Sequence, residues 1–330
     1  MTNNKKKNIL CTGGMGFICS HLTEALLAQG HEVHVIDDLS TGRLENLNSV
    51  IENSNLHFTK GSILDKELMQ KAIESCDVIF HLAAAVGTIY FMENQIKAMD
   101  INLKGTENVV SLAAQYNKKL LFASTSGVYG KTLDVPMGEE GDRLSGPTSK
   151  RGWLYGATKS MDEFLIRAYE KERGLQATIM RFFNTVGPRQ VGFYGMVVPR
   201  FIKAALKNEP ITVYGDGTQT RSFAHVNDTV RAIVALSECD EAIGETFNIG
   251  NSHEISILDL AKIVKEIAKS NSEIKFVSYE EAYGGGYEEI PRRIPNTTKI
   301  QKAIDWKPTI ELDEIIKSMI EYEKTVLLNV

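Results

Sequence analysis

The chain has 330 residues, of which 43% are hydrophobic and 24% charged, and its formal net charge is -5 at pH 7. That length exceeds the usual size of one compact domain, so two lobes sharing a cleft are expected, and the composition is that of a globular protein. The acidic excess argues against a nucleic-acid partner, while leaving room for an anionic substrate held by local arginines. Cys11, Cys19, Cys76 and Cys239 show no Cys-x-x-Cys spacing, so they indicate neither a zinc site nor a disulfide framework and read as reduced, buried thiols. The apolar run after Lys5-Lys6-Lys7 stops at Thr12-Gly13-Gly14, too short for a secretory segment or a membrane span, and a cytoplasmic protein is expected.

Strand and helix patterns alternate through the first half. Short apolar runs at 8–12, 32–36, 56–59, 78–82, 120–123 and 177–182 read as strands. The segments 17–29, 64–75, 92–116 and 155–173 read as helices, with Gly30 and Gly174 as C-terminal stops. Such alternation predicts an α/β fold with a parallel sheet covered on both faces. Beyond Phe183 it gives way to Gly/Pro-punctuated stretches, 185–195 and 214–220, which mark a second, smaller α/β lobe. Segments 226–237 and 246–249 are expected to return to the first lobe, and 257–269 and 312–328 to form amphipathic helices of the second. The division is therefore 1–185 plus 226–250 against 186–225 plus 251–330. The chain carries no internal repeat and no low-complexity tract.

The turn Thr12-Gly13-Gly14-Met15-Gly16-Phe17-Ile18-Cys19 joins the first strand to the first helix. Glycine belongs there because backbone N–H groups must approach a pyrophosphate at the helix N-terminus. Asp37 follows at the end of the second strand, where a dinucleotide fingerprint places an acid. A carboxylate in that position accepts hydrogen bonds from the adenosine ribose and repels a 2′-phosphate, favouring NAD over NADP. Cys19 stands in the third glycine position, where a small residue permits close packing. Far downstream, Tyr155 and Lys159 lie four apart, on one face of a helix. An ammonium near a phenol stabilises phenolate and lowers its pKa from about 10 towards the working range of a general base. Together the turn and the pair indicate a nicotinamide-dependent enzyme built on a Rossmann-type, doubly wound parallel sheet.

Seven ordered stretches extend this reading. They are Thr12 to Ile18, His81-Leu82-Ala83-Ala84, Asn102-Leu103-Lys104-Gly105-Thr106, Ser124 to Gly130, Tyr155 to Lys159, Arg181 to Arg189, and Val213 to Phe223. With them the chain resembles the extended short-chain dehydrogenase/reductase family of nucleotide-sugar epimerases and dehydratases, from about Asn8 to Tyr322. The resemblance implies that Thr125 hydrogen-bonds the reacting sugar oxygen, that Tyr155 is the general base, and that Lys159 also holds the nicotinamide ribose. It further implies cofactor contacts at Gly13, Gly16, Phe17, Ile18, Asp37, Ser62, Ile63, Leu82, Ala83, Ala84 and Phe182. Asn184 falls near the substrate diphosphate, and Arg221 with one of Arg292 or Arg293, Arg292 being carried forward, would grip it through bidentate guanidinium groups. Val86, Val197, Tyr214 and Arg293 are expected near the sugar pocket. His81 and His225 read as structural and no metal is expected. Ser62 is a departure, since the family commonly has Asp there to meet the adenine amino group.

The implied chemistry is oxidation of a sugar C4 hydroxyl to a 4-keto intermediate. A dehydratase of this family would carry Asp-Glu directly after Thr125, and a decarboxylase of UDP-glucuronate usually keeps a glutamate at the second of those positions. This chain has Ser126-Gly127. A 4-epimerase needs only room for the intermediate to turn, so the expectation is an NAD-dependent UDP-hexose 4-epimerase acting on a sugar such as UDP-glucose or UDP-N-acetylglucosamine. UDP-glucuronate decarboxylase is the alternative, and a noncatalytic NAD-binding protein the second. The helices 92–116 and 155–173 match the pair that forms a homodimer contact in the family.

Overall fold

The computed structural model describes residues 5–192, 196–283 and 287–328, so residues 193–195 of the stretch 185–195 lie outside the described residues. The main sheet has seven parallel strands: β1 (Asn8–Thr12), β2 (Glu32–Asp37), β3 (Leu56–Lys60), β4 (Val78–His81), β5 (Lys119–Thr125), β6 (Ala177–Phe182) and a seventh, Thr246–Ile249. Their order across the sheet runs from the seventh through β6, β5, β4, β1 and β2 to β3. The chain therefore winds outward from β1 to β3, then returns to β4 on the other side of β1. This reversal leaves a crevice at the carboxyl ends of β1 and β4, the place where a doubly wound sheet binds its ligand.

Alternation along each strand explains why both faces are dry. In β1, Ile9 and Cys11 face the cluster formed with helices Phe17–Ala28 and Val226–Glu238, whereas Leu10 faces the helices Lys66–Ser75, Thr106–Gln115 and Leu154–Arg173. Burying each such aliphatic side chain contributes about 1.5–3 kcal/mol. Hydrophobic residues at every position of a strand are thus used, one set per face. A separate cluster in the smaller lobe joins helices Val197–Leu206, Ile257–Ile267 and Leu312–Leu328 to the parallel pair Ile211–Tyr214 and Ile274–Val277. Ile300 and Trp306, from the stretch assigned by sequence to that lobe, pack instead with the sheet's first cluster. The Trp306 indole donates to the Asp228 carbonyl at 2.9 Å. Among the described residues no helix is long and apolar enough to cross a membrane.

The helix expected over 92–116 is broken. Short helices Thr88–Glu93 and Gln95–Met99 meet at Asn94, whose φ of -127° and ψ of 44° lie outside helical values, and a wider π-helical turn, Asp100–Gly105, precedes Thr106–Gln115. Hydrophobic periodicity cannot register such a turn. Its consequence is local: Asn102 points inward, accepting from the Ala85 backbone N–H at 2.8 Å and donating to the Thr158 hydroxyl at 3.2 Å. Wide turns of this kind are frequent beside functional sites.

After β5 a tight turn, Ser126–Tyr129, lies directly on the helix Leu154–Arg173. A Cβ added to Gly156 would stand 2.3 Å from the Gly127 carbonyl oxygen, so this helical glycine serves close backbone packing. By contrast Gly174 ends the same helix at φ +69° with nothing within 4 Å of an added Cβ. Both Gly156→Ala and Gly174→Ala are expected to destabilise the fold, by about 1–3 kcal/mol for overpacking and about 1–2 kcal/mol for left-handed backbone, and so to lower the thermal midpoint. Only Gly156→Ala should also cost turnover, because it displaces the turn that follows Thr125; calorimetry and an activity assay on both variants check this.

Candidate active site

A cavity of about 550 Å³ opens at the crevice and continues to the smaller lobe. At its cofactor end Gly13 adopts φ +73°, and a Cβ there would meet the Ala83 backbone at 2.8 Å, so β1 and β4 approach as only glycine allows. The helix Phe17–Ala28 begins immediately after, presenting its N-terminal end to the cavity. Asp37, at the end of β2, accepts from Met15 N–H at 3.0 Å and Leu39 N–H at 2.8 Å. Burial pushes its carboxyl up, opposed by those two backbone bonds. Gly16, Phe17, Ile18, Ser62, Ile63, Leu82, Ala83, Ala84 and Phe182 line the same half. The Ser62 hydroxyl is partly engaged, accepting from Leu64 N–H at 3.2 Å.

At the carboxyl end of β5, Thr125 lies across the ladder from Phe182 and faces Tyr155 in the first turn of the helix Leu154–Arg173. The Thr125 hydroxyl accepts from Gly127 N–H at 3.1 Å, and both Thr125 and Tyr155 line the cavity. Phe91 packs beside the phenol, with ring centroids 5.3 Å apart. Burial drives the Tyr155 hydroxyl up to about 12; the Thr125 hydroxyl lowers it and the charge of Asp162 raises it. Lys159 is not where the sequence places it. Its ammonium is withdrawn from the cavity wall, 3.4 Å from Asp162 and 3.8 Å from the centre of the Phe122 ring. A buried ammonium needs a counter-ion, and the carboxylate three residues along the helix supplies one. Burial pulls Lys159 down and Asp162 partly restores it.

The far half of the cavity is basic and aromatic. Arg200, Arg221 and Arg293 line it, together with Tyr214, Tyr279, Tyr283, Tyr287 and Glu289. Arg221 is ion-paired to Glu289, which also accepts from the Tyr287 hydroxyl at 3.1 Å. Arg293 is half-buried, with its Nε buried and unpartnered, and burial and the nearby Arg221 lower it to about 10. Arg200 stacks on Tyr214 at 4.0 Å, its Nε also unpartnered. Arg292, the arginine carried forward from the sequence, is turned the other way: its side chain is 55% exposed and makes a two-pronged pair with Glu254. Neighbouring strand residues point to opposite faces, so only one of the two could enter the cavity. Asn184 lines the cavity at φ +36°, but its amide donates to the Ser222 carbonyl at 2.8 Å and so ties the two lobes. Val86 and Val197 line it as expected.

Several participants were not read from the sequence. The tyrosines at 279, 283 and 287 recur every four residues, a visible stripe, yet nothing local says that they close over Arg221. Arg200 sits in an unremarkable amphipathic helix. Asp162 looks like one more charge on a helix surface until the fold buries it. The histidines do serve structure. His81 is held between the Thr12 and Thr106 hydroxyls at 2.7 and 3.2 Å, with burial lowering it to about 3, and His225 accepts from Asn227 N–H at 3.1 Å to cap its helix. Among the described residues no group of three or more His, Cys, Asp or Glu is placed to hold a metal.

Residues 9–250 match the family model described as the NAD dependent epimerase/dehydratase family. The chain belongs to that family. A UDP-N-acetyl-alpha-D-glucosaminuronate decarboxylase of Bacillus cytotoxicus is 40% identical over 322 residues, covering 97% of this chain and 99% of that protein. The crystal structure of a UDP-glucose 4-epimerase from Thermotoga maritima with UDP-glucose superposes with a TM-score of 0.86 at 31% identity, covering 97% of this chain and 99% of that one. A UDP-glucuronic acid 4-epimerase from Bacillus cereus, in complex with UDP-glucuronic acid and NAD, gives 0.87 at 29% identity with the same coverage.

The family's cofactor is NAD, and the residues fit it. The N-terminal end of the helix Phe17–Ala28 faces the cavity as a place for a pyrophosphate, and Asp37 keeps lone pairs for ribose hydroxyls after its two backbone bonds. The two arginines at 292 and 293 differ in a way that calorimetry with a nucleoside diphosphate can measure. Arg293→Met should weaken its binding at least about tenfold, as expected for the loss of a hydrogen bond to a charged group. Arg292→Met, which breaks an exposed pair, should leave binding within about twofold.

Proposed function

We propose that this family member oxidises the C4 hydroxyl of a UDP-linked sugar acid and releases the sugar's carboxyl group as carbon dioxide. The observation that carries the oxidation is that Thr125 and Tyr155 both line the cavity at the end of β5, where the Gly156–Gly127 approach brings the strand end and the helix together, between the half that fits NAD and the arginine-lined half. Bound NAD supplies the oxidising power at C4 and restores the hydrogen at the end of turnover. Tyr155, once deprotonated, takes the proton of the C4 hydroxyl, and Thr125 holds that oxygen as it becomes a carbonyl. Arg221 and Arg293 anchor the diphosphate, Glu289 giving way to it on Arg221.

A carboxylate on C5 is then β to the carbonyl. Breaking its bond to C5 leaves the electron pair in an enolate, whose oxygen Thr125 and the protonated Tyr155 stabilise by hydrogen bonds. Protonation at C5 completes the loss of carbon dioxide. A β-keto acid needs no further acid or base for the bond to break, which reconciles Gly127 with the similarity to a decarboxylase along nearly the whole chain. Gly127 also favours a second reading, the hexose 4-epimerase. A Cβ there would meet only ordinary contacts, the closest 3.4 Å away at Thr125, so the bare position leaves space beside the reacting oxygen.

Ile96, Met161 and Phe164 are large apolar side chains exposed on the helices Gln95–Met99 and Leu154–Arg173, and we read them as the face where a second copy packs. Sedimentation showing monomer alone at micromolar concentration would remove this part of the reading.

Incubation with UDP-glucuronate, UDP-N-acetylglucosaminuronate, UDP-glucose and UDP-N-acetylglucosamine, followed by NMR and assay of carbon dioxide, tests the activity. A pentose product from one of the acids is expected. Epimers of the neutral sugars without carbon dioxide would establish the second reading, and inertness across the set would point to a binding role. Tyr155→Phe should lower turnover by about 10²–10⁴ while NAD binding persists.

A further inference from the structure

Asn248, on the seventh strand, is fully buried, and the described residues that line the cavity do not include it. Its amide is nevertheless committed on both sides. The oxygen accepts from the Tyr129 hydroxyl at 2.7 Å, and the nitrogen donates to the carbonyls of Met137 at 2.8 Å and Asn296 at 3.3 Å. The direction of the amide is fixed by its surroundings: Arg181 donates to the Tyr129 oxygen at 2.8 Å, so the Tyr129 proton points at Asn248. One acceptor facing a phenol and two donors facing two carbonyls is a demand that a carboxamide meets and a carboxylate, a hydroxyl or an aliphatic side chain does not. A buried polar group satisfied by segments distant in the chain specifies how those segments sit relative to one another.

The partners lead to both reacting ends of the cavity. Tyr129 closes the turn that follows Thr125. Asn296 comes shortly after Arg293, and Met137 bonds to the same stretch twice: its N–H donates to the Ile294 carbonyl at 2.8 Å, and its carbonyl accepts from Asn296 N–H at 2.8 Å. The loop that carries Met137 is held as well, since the Glu139 carboxylate accepts from Asn248 N–H at 2.9 Å and the Glu139 carbonyl from Arg181 at 2.8 Å. Arg293 itself belongs to a strand of two residues, Arg292–Arg293, paired with Thr220–Ser222 so that Arg293 stands beside Arg221. So short a ladder does not hold a strand by itself. The Arg293 Nε has no partner, so the backbone on either side places the guanidinium.

We propose that Asn248 is a positioning residue for diphosphate binding: it joins the turn after Thr125 to the stretch after Arg293 and so sets the spacing between the oxidising end of the cavity and its arginine-lined half. This rests on the reading of Arg293 as an anchor for the diphosphate. Without the amide, the backbone after Arg293 loses a fixed point and the guanidinium samples positions out of reach of the phosphate, a loss of preorganisation rather than of a contact.

The test measures binding of UDP and of NAD by calorimetry, at a temperature where circular dichroism shows each variant folded. Asn248→Ala should weaken UDP binding to the NAD-loaded protein by about fivefold, the net worth of one hydrogen bond, and leave NAD binding within about twofold. Asn248→Asp, which keeps the shape and the acceptor for Tyr129 but loses both donors, should do the same, and it carries the test if the alanine variant does not fold. A double-mutant cycle decides. With Arg293→Met already in place, Asn248→Ala should cost less than about twofold more, because the group it positions is gone, whereas with Arg292→Met it should still cost about fivefold. An amide that only supports the fold would lower the thermal midpoint and leave UDP binding unchanged, weaken NAD binding equally, or add its full effect to Arg293→Met, and each of these overturns the proposal. If Arg293→Met alone leaves UDP binding unchanged, the reading of Arg293 as an anchor fails and the proposal with it; if Arg293→Met weakens binding and neither Asn248 variant does, the proposal alone fails. Because the measurement needs no turnover, inertness on every sugar would remove the proposed reaction and not this role.

Discussion

The chemistry of this protein depends on a contact between two stretches of bare backbone, where the turn after β5 meets the helix Leu154–Arg173 at Gly127 and Gly156. With no side chain on Gly156 between them, the end of the strand and the first turn of the helix approach closely enough for Thr125 and Tyr155 to line one cavity. The same helix is clamped again two turns on. Glu163 receives Ser124 from β5 and Arg181 from β6, and Arg181 continues to the Tyr129 hydroxyl at 2.8 Å, which donates to Asn248 on the seventh strand at 2.7 Å. A backbone contact above and a saturated ion pair below leave the helix little freedom to rotate. Rigidity of this kind would keep the proposed proton acceptor, Tyr155, within reach of a substrate.

Around that fixed point the cavity separates charge. An acid, Asp37, stands at one end and three arginines at the other. The acidic end matches ribose hydroxyls and the basic end a diphosphate, so the orientation of two phosphorylated ligands follows from the field alone. Glu289 gives the basic end a provisional partner: it neutralises Arg221, and the tyrosines around both groups keep water away. Arg200 and Arg293 retain unpartnered Nε groups, donors that a bound anion would satisfy.

The fold was legible in the sequence wherever local pattern and tertiary packing agree. β1, β4, β5 and β6 follow from apolar runs because strands buried on both faces must be hydrophobic throughout, while β2 and the half-exposed edge strand β3 alternate apolar with polar residues. The glycine turn and Asp37 follow because their roles are set by backbone geometry within one βαβ unit. Agreement ended where a residue's role depends on its neighbours in space. The helix over 92–116 carries a continuous apolar pattern, but Asn94 and the π-helical turn at Asp100–Gly105 interrupt it so that Asn102 can bond to Ala85. Arg292 and Arg293 are indistinguishable in sequence, and the face of one short strand decides which enters the cavity.

Lys159 states the division most plainly. Its spacing from Tyr155 put both on one helix face, and that is true of the helix. Where the ammonium rests was decided by Asp162 and Phe122, because a buried cation moves to the nearest charge and aromatic face available to it. The sequence by itself determined the α/β sheet, the glycine turn and the helix that carries Tyr155, all of which rest on short-range periodicity and backbone conformation. Only the tertiary structure decided which arginines line the cavity, which acid is left short of donors and where the Lys159 ammonium sits, since each of these depends on burial and on distances between segments far apart in the chain.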